Sequence, residues 1–193
     1  IPETTRILRD CAFEDIYYEH CSYFTPGSLA RLFRRCGFDV LNLETEYASQ
    51  YLTIEARPAS GESSAPLAQE DDLATLSSYV AAFPGKCKAK LDQWRQTVKQ
   101  AASQGRKVIL WGSGSKGVSF LTTLGVGDHI EYVVDINPYR QGYYMPAGGQ
   151  QIVAPAFLRE YRPDLVIIMN AVYRNEITRD LNAMGLQPEV LAL

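Results

Sequence analysis

The sequence has few of the patterns that mark metal-binding, nucleic-acid-binding or membrane proteins. Its four cysteines form no C-x-x-C pair, and its two histidines, His20 and His129, complete no zinc-binding spacing. The net charge is −3, so no surplus of positive charge favours nucleic-acid phosphates. No apolar run approaches the ~20 residues that a membrane-spanning helix needs. We therefore expect no metal site, no nucleic-acid partner and no membrane association in this chain.

The chain also lacks an N-terminal methionine and a signal peptide. Position 1 is isoleucine, and the first residues are typical of the end of a loop. Cysteines without a pairing pattern favour free thiols and a cytoplasmic location. The 193 residues are 46% hydrophobic and 21% charged, which is the composition of an ordinary globular protein with a sizeable core. We expect a cytoplasmic protein, and we expect this chain to be a fragment of a longer one.

A glycine-rich turn follows a short apolar run at residues 108–111. Gly112, Gly114 and Gly117 have the spacing G-x-G-x-x-G, and a predicted helix follows them. Such a turn brings the backbone close to a phosphate held at the helix N-terminus. Asp135 ends the next apolar run, where a dinucleotide fold has its ribose-binding carboxylate. Two interpretations remain open: a nucleotide-binding turn, or glycines that only allow the helix to pack on the strand.

Strands and helices alternate after residue 107, which predicts a parallel sheet with right-handed crossovers. The predicted elements are strand 108–111, helix 116–124, strand 131–135, helix 155–161, strand 165–169, helix 174–184 and strand 189–192. The loop at 136–149 and the segment 170–173 both leave the carboxyl ends of strands, the edge at which open α/β sheets bind ligands. We predict a binding crevice between these loops and the glycine turn.

The first part of the chain predicts a helix and two antiparallel strands. Thr25 and Pro26 have the pattern of an N-cap and a first helical residue. The arginines of this helix, at positions 31, 34 and 35, are expected to form a solvated face. Strands are predicted at 38–44 and 51–56, with a short turn between them.

A stretch rich in Pro, Ser, Gly and Ala then predicts a linker at 58–69. A helical stripe begins beyond it at Leu73, and Pro84 is expected to interrupt or kink that helix. The predicted fold class is α/β. It comprises a Rossmann-like parallel-sheet domain at 70–193, including a long N-terminal helix, preceded by a helix and strand pair within 1–57.

Residues 16–24 contain the densest cluster of functional groups. Tyr17, Tyr18, Glu19, His20 and Tyr23 lie within seven positions. An imidazole and a carboxylate beside phenols can move protons near neutral pH. The alternative is a tyrosine-rich strand whose polar tips face a surface. On the residues alone, the second interpretation is favoured.

Three motifs together, at residues 16–24, 112–117 and 135–142, resemble the sugar C-methyltransferases. These enzymes use S-adenosylmethionine to methylate a carbon of a nucleotide-linked keto-sugar. The resemblance covers nearly the whole chain, in order. It implies that 1–57 is the C-terminal tail of a class I methyltransferase domain, and that 70–193 is a C-terminal domain that binds the nucleotide-sugar. The sequence leaves a homodimer open.

The resemblance also implies roles for individual residues. His20, with Tyr17, would be the base that removes a proton beside the ketone, and Glu19 would orient it or bind the sugar. Lys116 or Arg140 would lie near the diphosphate, and a solvated surface position stays the alternative for both. The implied substrate-binding residues are Gly112, Gly114, Lys116, Gly117, Asp135, Asn137, Arg140 and Tyr143.

The same resemblance places the cofactor loop and the zinc cysteines of the family upstream of this chain. We therefore expect the chain alone to bind S-adenosylmethionine poorly and to be inactive. Cys21 and the Gly-Ser-Gly beginning of the glycine turn depart from the usual family pattern, which leaves the sugar undetermined. Two rival interpretations remain: an NAD-binding oxidoreductase or epimerase, and a non-catalytic module that presents substrate.

Overall fold

The computed structural model describes residues 1–61 and 64–193 as a mixed α/β protein. In these residues the helices are α1 (Thr4–Asp10), α2 (Pro26–Arg35), α3 (Leu73–Ser103), α4 (Ser115–Leu124), α5 (Leu158–Tyr161) and α6 (Arg174–Ala183). The strands are β1 (Phe38–Glu46), β2 (Tyr51–Pro58), β3 (Val108–Trp111), β4 (Tyr132–Val134), β5 (Gln151–Val153), β6 (Leu165–Ile168) and β7 (Glu189–Ala192). Strands β1 and β2 form an antiparallel pair, and the others form a parallel sheet in the order β5-β4-β3-β6-β7. The predicted fold class is confirmed.

The described residues pack into two compact units. The first contains Ile1–Ala12 and Tyr18–Cys87, and the second contains Phe13–Tyr17 and Lys88–Leu193. The predicted domain limits at 57/58 and 69/70 stay a prediction, because compactness shows which residues pack together and not where a domain ends. Residues 62 and 63 of the predicted linker lie outside the described residues.

The first unit is built on α2 and the β1–β2 pair. The Thr25 hydroxyl accepts a hydrogen bond from the Ser28 backbone, and the Ser28 hydroxyl accepts one from the Thr25 backbone, at 3.2 and 2.8 Å. This capping box begins the helix at Pro26, as the sequence predicts. The apolar side of α2 then packs on the strand pair. The buried residues of this core are Leu29, Ala30, Val40, Leu43 and Leu52.

The arginines of α2 do not form the solvated face that the sequence predicts, except at the exposed Arg35. Arg34 pairs with Glu70 at 2.7 Å, and both side chains are largely buried. Arg31 pairs with Asp72 at 3.3 Å. The hydrogen bond from Arg34 holds the pKa of Glu70 below its usual value. The expectation was wrong because the acidic partners lie more than 35 residues away in sequence, where helical periodicity gives no information.

Helix α3 runs through Pro84 without ending there. A proline removes one backbone hydrogen bond of a helix, and the remaining bonds of a 31-residue helix continue on either side of it. No helix in the described part of the chain is long and apolar enough to cross a membrane.

The parallel sheet is the core of the second unit. All four residues of β3 are buried, and β3 pairs with β4 on one side and with β6 on the other. Helices α5 and α6 pack on one face of this sheet. The buried residues there are Ile109, Trp111, Val134, Val153, Leu158, Val166, Ile168, Ile177, Leu181 and Leu186.

The strand order places a topological switch point in this sheet. The chain moves outward from β3 through β4 to one edge of the sheet, and later from β6 to the other edge. The strand order therefore reverses between β3 and β6, which makes that point the topological switch point.

Strand β5 is absent from the sequence prediction, which passes from the loop at 136–149 directly to a helix. The strand has three residues, too few for a periodic pattern to identify. Its outer edge bonds back to that loop, since Gly142 donates to the Ile152 carbonyl and Ile152 donates to the Tyr143 carbonyl, each at 2.8 Å. The loop that the sequence places over the binding edge is thus fixed to the sheet at its far end.

Candidate functional site

A cavity of about 460 Å³ lies at the carboxyl ends of β3 and β6, at the switch point of the second unit. We call it the switch-point pocket. Its floor is apolar, and its walls come from the glycine turn, α4, the segments after β4 and β6, and α6. The lining residues are Tyr17, Trp111, Gly112, Gly114, Ser115, Lys116, Gly117, Asp135, Ile136, Arg140, Ile168, Met169, Asn170, Tyr173, Glu176, Ile177 and Asp180.

The three glycines of the turn have different structural requirements. Gly112 has φ of +118°, which side chains disfavour, and a Cβ at Gly117 would lie 2.5 Å from the Gly112 carbonyl oxygen. Gly114 has extended backbone as the N-cap of α4, and a Cβ there would meet only Arg140 Nη1, at an ordinary 3.6 Å. The packing of the chain therefore explains Gly112 and Gly117 but not Gly114, which lines the pocket.

The Asp135 carboxylate is occupied by groups of the chain itself. One oxygen accepts hydrogen bonds from the Ser113 hydroxyl, from the Ser113 backbone at 3.1 Å and from Arg140 at 3.3 Å. The other accepts from the Asn137 backbone at 2.8 Å. Burial raises the pKa of Asp135, but the bonds from Ser113 and Asn137 and the charge of Arg140 outweigh it, so the pKa is lowered. Asp135 fixes the glycine turn to the loop after β4.

Lys116 lies in the first turn of α4 and lines the switch-point pocket. Its Nζ is 3.0 Å from an oxygen of the buried Asp15 carboxylate, which belongs to the same unit. The lysine side chain is 21% exposed. The ion pair joins the pocket to the short segment Phe13–Tyr17, whose last residue is also a lining residue.

The structure brings six of the eight predicted substrate-binding residues to the pocket wall. The residues placed there are Gly112, Gly114, Lys116, Gly117, Asp135 and Arg140. Asn137 instead forms a local turn, with its Oδ1 accepting from the Tyr139 backbone at 3.0 Å. Tyr143 bonds to β5 through its backbone, and its side chain is exposed. Ligand binding by all eight residues stays a prediction.

The predicted catalytic residues belong to different units. Tyr17 is in the second unit and lines the pocket, whereas Glu19 and His20 are in the first. Residues 16–24 form neither a helix nor a continuous strand. His20 is half-buried, with its ring 6.0 Å from the Tyr23 ring, and the Tyr18 hydroxyl donates to Glu19 at 3.4 Å. The imidazole is thus not enclosed in an apolar core, and its catalytic role stays a prediction.

Sequence reasoning missed the wall formed by α6. Glu176 and Asp180 are one helical turn apart and line the pocket beside Ile177. The i, i+4 spacing of two carboxylates on a helix that follows a central strand was the signal available in the sequence. These two residues face a pocket that also contains the cationic side chains of Lys116 and Arg140.

Metal-binding and disulfide chemistry are not apparent in the residues that can be placed. Within residues 1–61 and 64–193, no group of three or more His, Cys, Asp or Glu side chains is arranged to hold a metal ion. None of the four cysteines forms a disulfide: Cys11 is buried, Cys87 is half-buried, and Cys21 and Cys36 are exposed.

Comparison with known proteins identifies the family of this chain. It is similar to the C-methyltransferase NovU of Streptomyces niveus, with 26% identity over 186 residues. That similarity covers 92% of this chain but 44% of the relative, so the chain spans less than half of the relative's length. Residues 47–187 match a family described as "C-methyltransferase C-terminal domain". The match includes the glycine turn, Asp135 and the α6 wall, and it extends over most of the sequence. The chain belongs to the C-methyltransferase C-terminal domain family.

Proposed function

We propose that this chain is the nucleotide-sugar-binding part of an S-adenosylmethionine-dependent C-methyltransferase that acts on a keto-sugar. The observation that carries the proposal is the switch-point pocket, which combines a glycine turn and a helix N-terminus in a chain of this family. Helix N-termini favour anions, and the carboxyl edge of a parallel sheet at a switch point is where such folds bind nucleotides.

The charges around the pocket support a ligand that is anionic at one end and rich in hydroxyl groups elsewhere. Gly114 leaves room beside the first turn of α4, where Lys116 and Arg140 provide positive charge for a diphosphate. Glu176 and Asp180, on the opposite wall formed by α6, can accept hydrogen bonds from sugar hydroxyls. A volume of about 460 Å³ is within the usual range for small-molecule sites.

The proposed chemistry of the chain is proton removal. A carbon beside a ketone must lose a proton before it can act as a nucleophile. In the proposal, the His20 imidazole accepts this proton, Glu19 orients the imidazole, and Tyr17 contacts the sugar at the pocket wall. A positioned base of this kind contributes about 100-fold to 10,000-fold to the rate.

The carboxylate that would bind the ribose of S-adenosylmethionine in this chain is largely engaged by the chain itself. Folds of this type bind a ribose through a carboxylate after the second strand, and here that carboxylate, Asp135, already accepts bonds from Ser113, Asn137 and Arg140. We therefore propose that the methyl donor, and any zinc site, belong to a part of the enzyme outside this chain. The same occupancy weighs against an NAD-binding function.

Calorimetric titration of the chain with uridine or thymidine diphosphate sugars, and separately with NAD, tests the binding proposal. We expect micromolar affinity for a diphosphate sugar and none for NAD. Gly114→Ala should weaken binding at least tenfold without unfolding the protein, whereas Gly85→Ala, where a Cβ meets nothing within 4 Å, should not. Tight NAD binding, with no binding of any diphosphate sugar, would contradict the proposal.

The proposed base is tested in the complete methyltransferase that contains this chain. His20→Asn should lower methyl transfer at least 100-fold, with little change in affinity for the nucleotide-sugar. The exposed His129 provides the matched control, because His129→Asn makes the same chemical change away from the pocket. Turnover of His20→Asn at the parent rate would remove His20 from the mechanism.

A further inference from the structure

A short N-terminal segment, Phe13–Tyr17, packs with the parallel-sheet unit, although the residues on both sides of it belong to the first unit. We call it the anchor segment. The Phe13 ring stacks on the Phe120 ring of α4, with centroids 6.4 Å apart. The Ser119 hydroxyl donates to the Phe13 carbonyl at 3.3 Å. These contacts attach the segment to the helix whose N-terminus forms the pocket.

The anchor segment buries two consecutive carboxyl groups. Glu14 is 3% exposed and Asp15 is 6% exposed. Within the described residues, Glu14 Oε2 has no hydrogen-bond partner, and burial, offset in part by Lys90, raises the pKa of Glu14. Apolar side chains would pack at such positions at lower cost than charged ones. Packing alone therefore does not account for the two acidic groups here.

Asp15 connects this segment to the pocket. Its carboxylate pairs with Lys116 at 3.0 Å, and Lys116 lines the pocket. An ammonium group has three donors, so Lys116 can bind Asp15 and a ligand anion at the same time. Tyr17, two residues after Asp15, also lines the pocket.

The chain itself limits how far the proposed catalytic residues can be from this anchor. Glu19 and His20 follow Tyr17 by two and three residues. Three peptide units keep the His20 Cα within about 11 Å of the Tyr17 Cα, whatever the conformation of the intervening residues. Loss of the Asp15 anchor would release this constraint on the proposed base.

We propose that Asp15, through its ion pair with Lys116, is a positioning residue that holds the anchor segment, and with it Tyr17, at the ligand pocket. Ligand bound near Lys116 would contact the same ammonium and so be coupled to the position of the anchor segment, from which the chain continues to Glu19 and His20. This inference rests on the proposed function for its catalytic meaning, but the anchoring itself can be measured without ligand or turnover.

Hydrogen–deuterium exchange on the ligand-free chain tests the anchoring. Asp15→Asn and Lys116→Gln should each raise the exchange rates of the amides at 16–20 at least tenfold. Because both changes break the same pair, the double variant should add less than twofold to either single variant. Asp10→Asn, which removes a carboxylate from the exposed pair with Arg9, should leave these rates unchanged.

The catalytic consequence is measured in the complete enzyme. Asp15→Asn should lower kcat at least tenfold while KM for the nucleotide-sugar changes less than threefold, and Asp15→Glu should recover most of the lost kcat. If the amides at 16–20 exchange at the parent rate in Lys116→Gln, the anchor is overturned, even when Asp15→Asn does not fold. If Asp15→Asn exchanges tenfold faster but keeps the parent kcat, the positioning role is overturned. If the parent chain binds no diphosphate sugar, only the proposed function is overturned.

Discussion

Replacing Gly117 by alanine tests whether the glycine turn is held by direct contact between α4 and the end of β3. A Cβ at this position would lie 2.5 Å from the Gly112 carbonyl oxygen and 3.4 Å from the Met145 methyl group. The methyl group of a methionine can move, but the carbonyl is backbone that follows a buried strand. Helix α4 must therefore shift away from β3 to accept the new atom.

The steric cost should exceed the gain in helix propensity. Overpacking of this kind costs about 1–3 kcal/mol, and the upper part of the range applies when the obstacle is backbone. Alanine in place of glycine favours a helix by up to about 1 kcal/mol, and by less in the first turn. We expect Gly117→Ala to lower the free energy of unfolding by about 2 kcal/mol.

Urea unfolding followed by tryptophan fluorescence measures this change in the relevant unit, because Trp94 and Trp111 are the two tryptophans of the chain and both belong to it. Gly114→Ala is the matched control, since its Cβ meets only Arg140 at 3.6 Å. We expect that variant to remain within about 1 kcal/mol of the parent protein. Equal stability of the two variants would refute the assignment of Gly117 to packing.

Two further predictions concern buried carboxylates. The hydrogen bond from Arg34 lowers the pKa of Glu70 in the folded protein. The ion pair therefore stabilises the fold fully at pH values above 4.5, the ordinary pKa of a glutamate, and this stabilisation is lost as the pH falls through the folded-state pKa. Glu70→Gln should therefore cost about 2 kcal/mol at pH 7 and less at pH 3 in urea unfolding, whereas exposed Glu55→Gln should change little. Ser113→Ala should raise the pKa of Asp135 in a carboxyl NMR titration, because it removes a bond to the ionised form; an unchanged pKa would contradict that account.

Local sequence patterns predicted most helices and strands of the chain, with β5 as the strand of the parallel sheet that they missed. The run at 108–111 is apolar at every position, as a strand covered on both faces requires, and the glycines that follow it mark a turn. Thr25 and Pro26 likewise predict the start of α2. These features depend on neighbouring residues alone, and the structure has them where the sequence predicts them.

Contacts between distant residues were not predictable in the same way. Lys116 and Asp15 are 101 residues apart, and Arg34 and Glu70 are 36 apart. The sequence predicted neither ion pair: it favoured solvent for Arg34, and for Lys116 it left a ligand and a solvated surface open. A charged residue on a predicted helix can be assigned to solvent, ligand or protein only when the opposing surface is known, and periodicity carries no information about that surface.

Asp135 has the position that the sequence motif predicts, and its carboxylate is also engaged within the chain. The residue lies after the second strand of a G-x-G-x-x-G unit, as in a dinucleotide fold, but its carboxylate accepts bonds from the turn and the loop on either side of it. A ribose that bonded to the oxygen shared by Ser113 and Arg140 would have to displace one of them, at a cost of about 1.5–3 kcal/mol for the lost bond to a charged acceptor. The low pKa keeps the acceptor ionised, which strengthens the same bonds. The acidic residue therefore shapes the pocket through bonds within the chain, and its contact with a ligand stays a prediction.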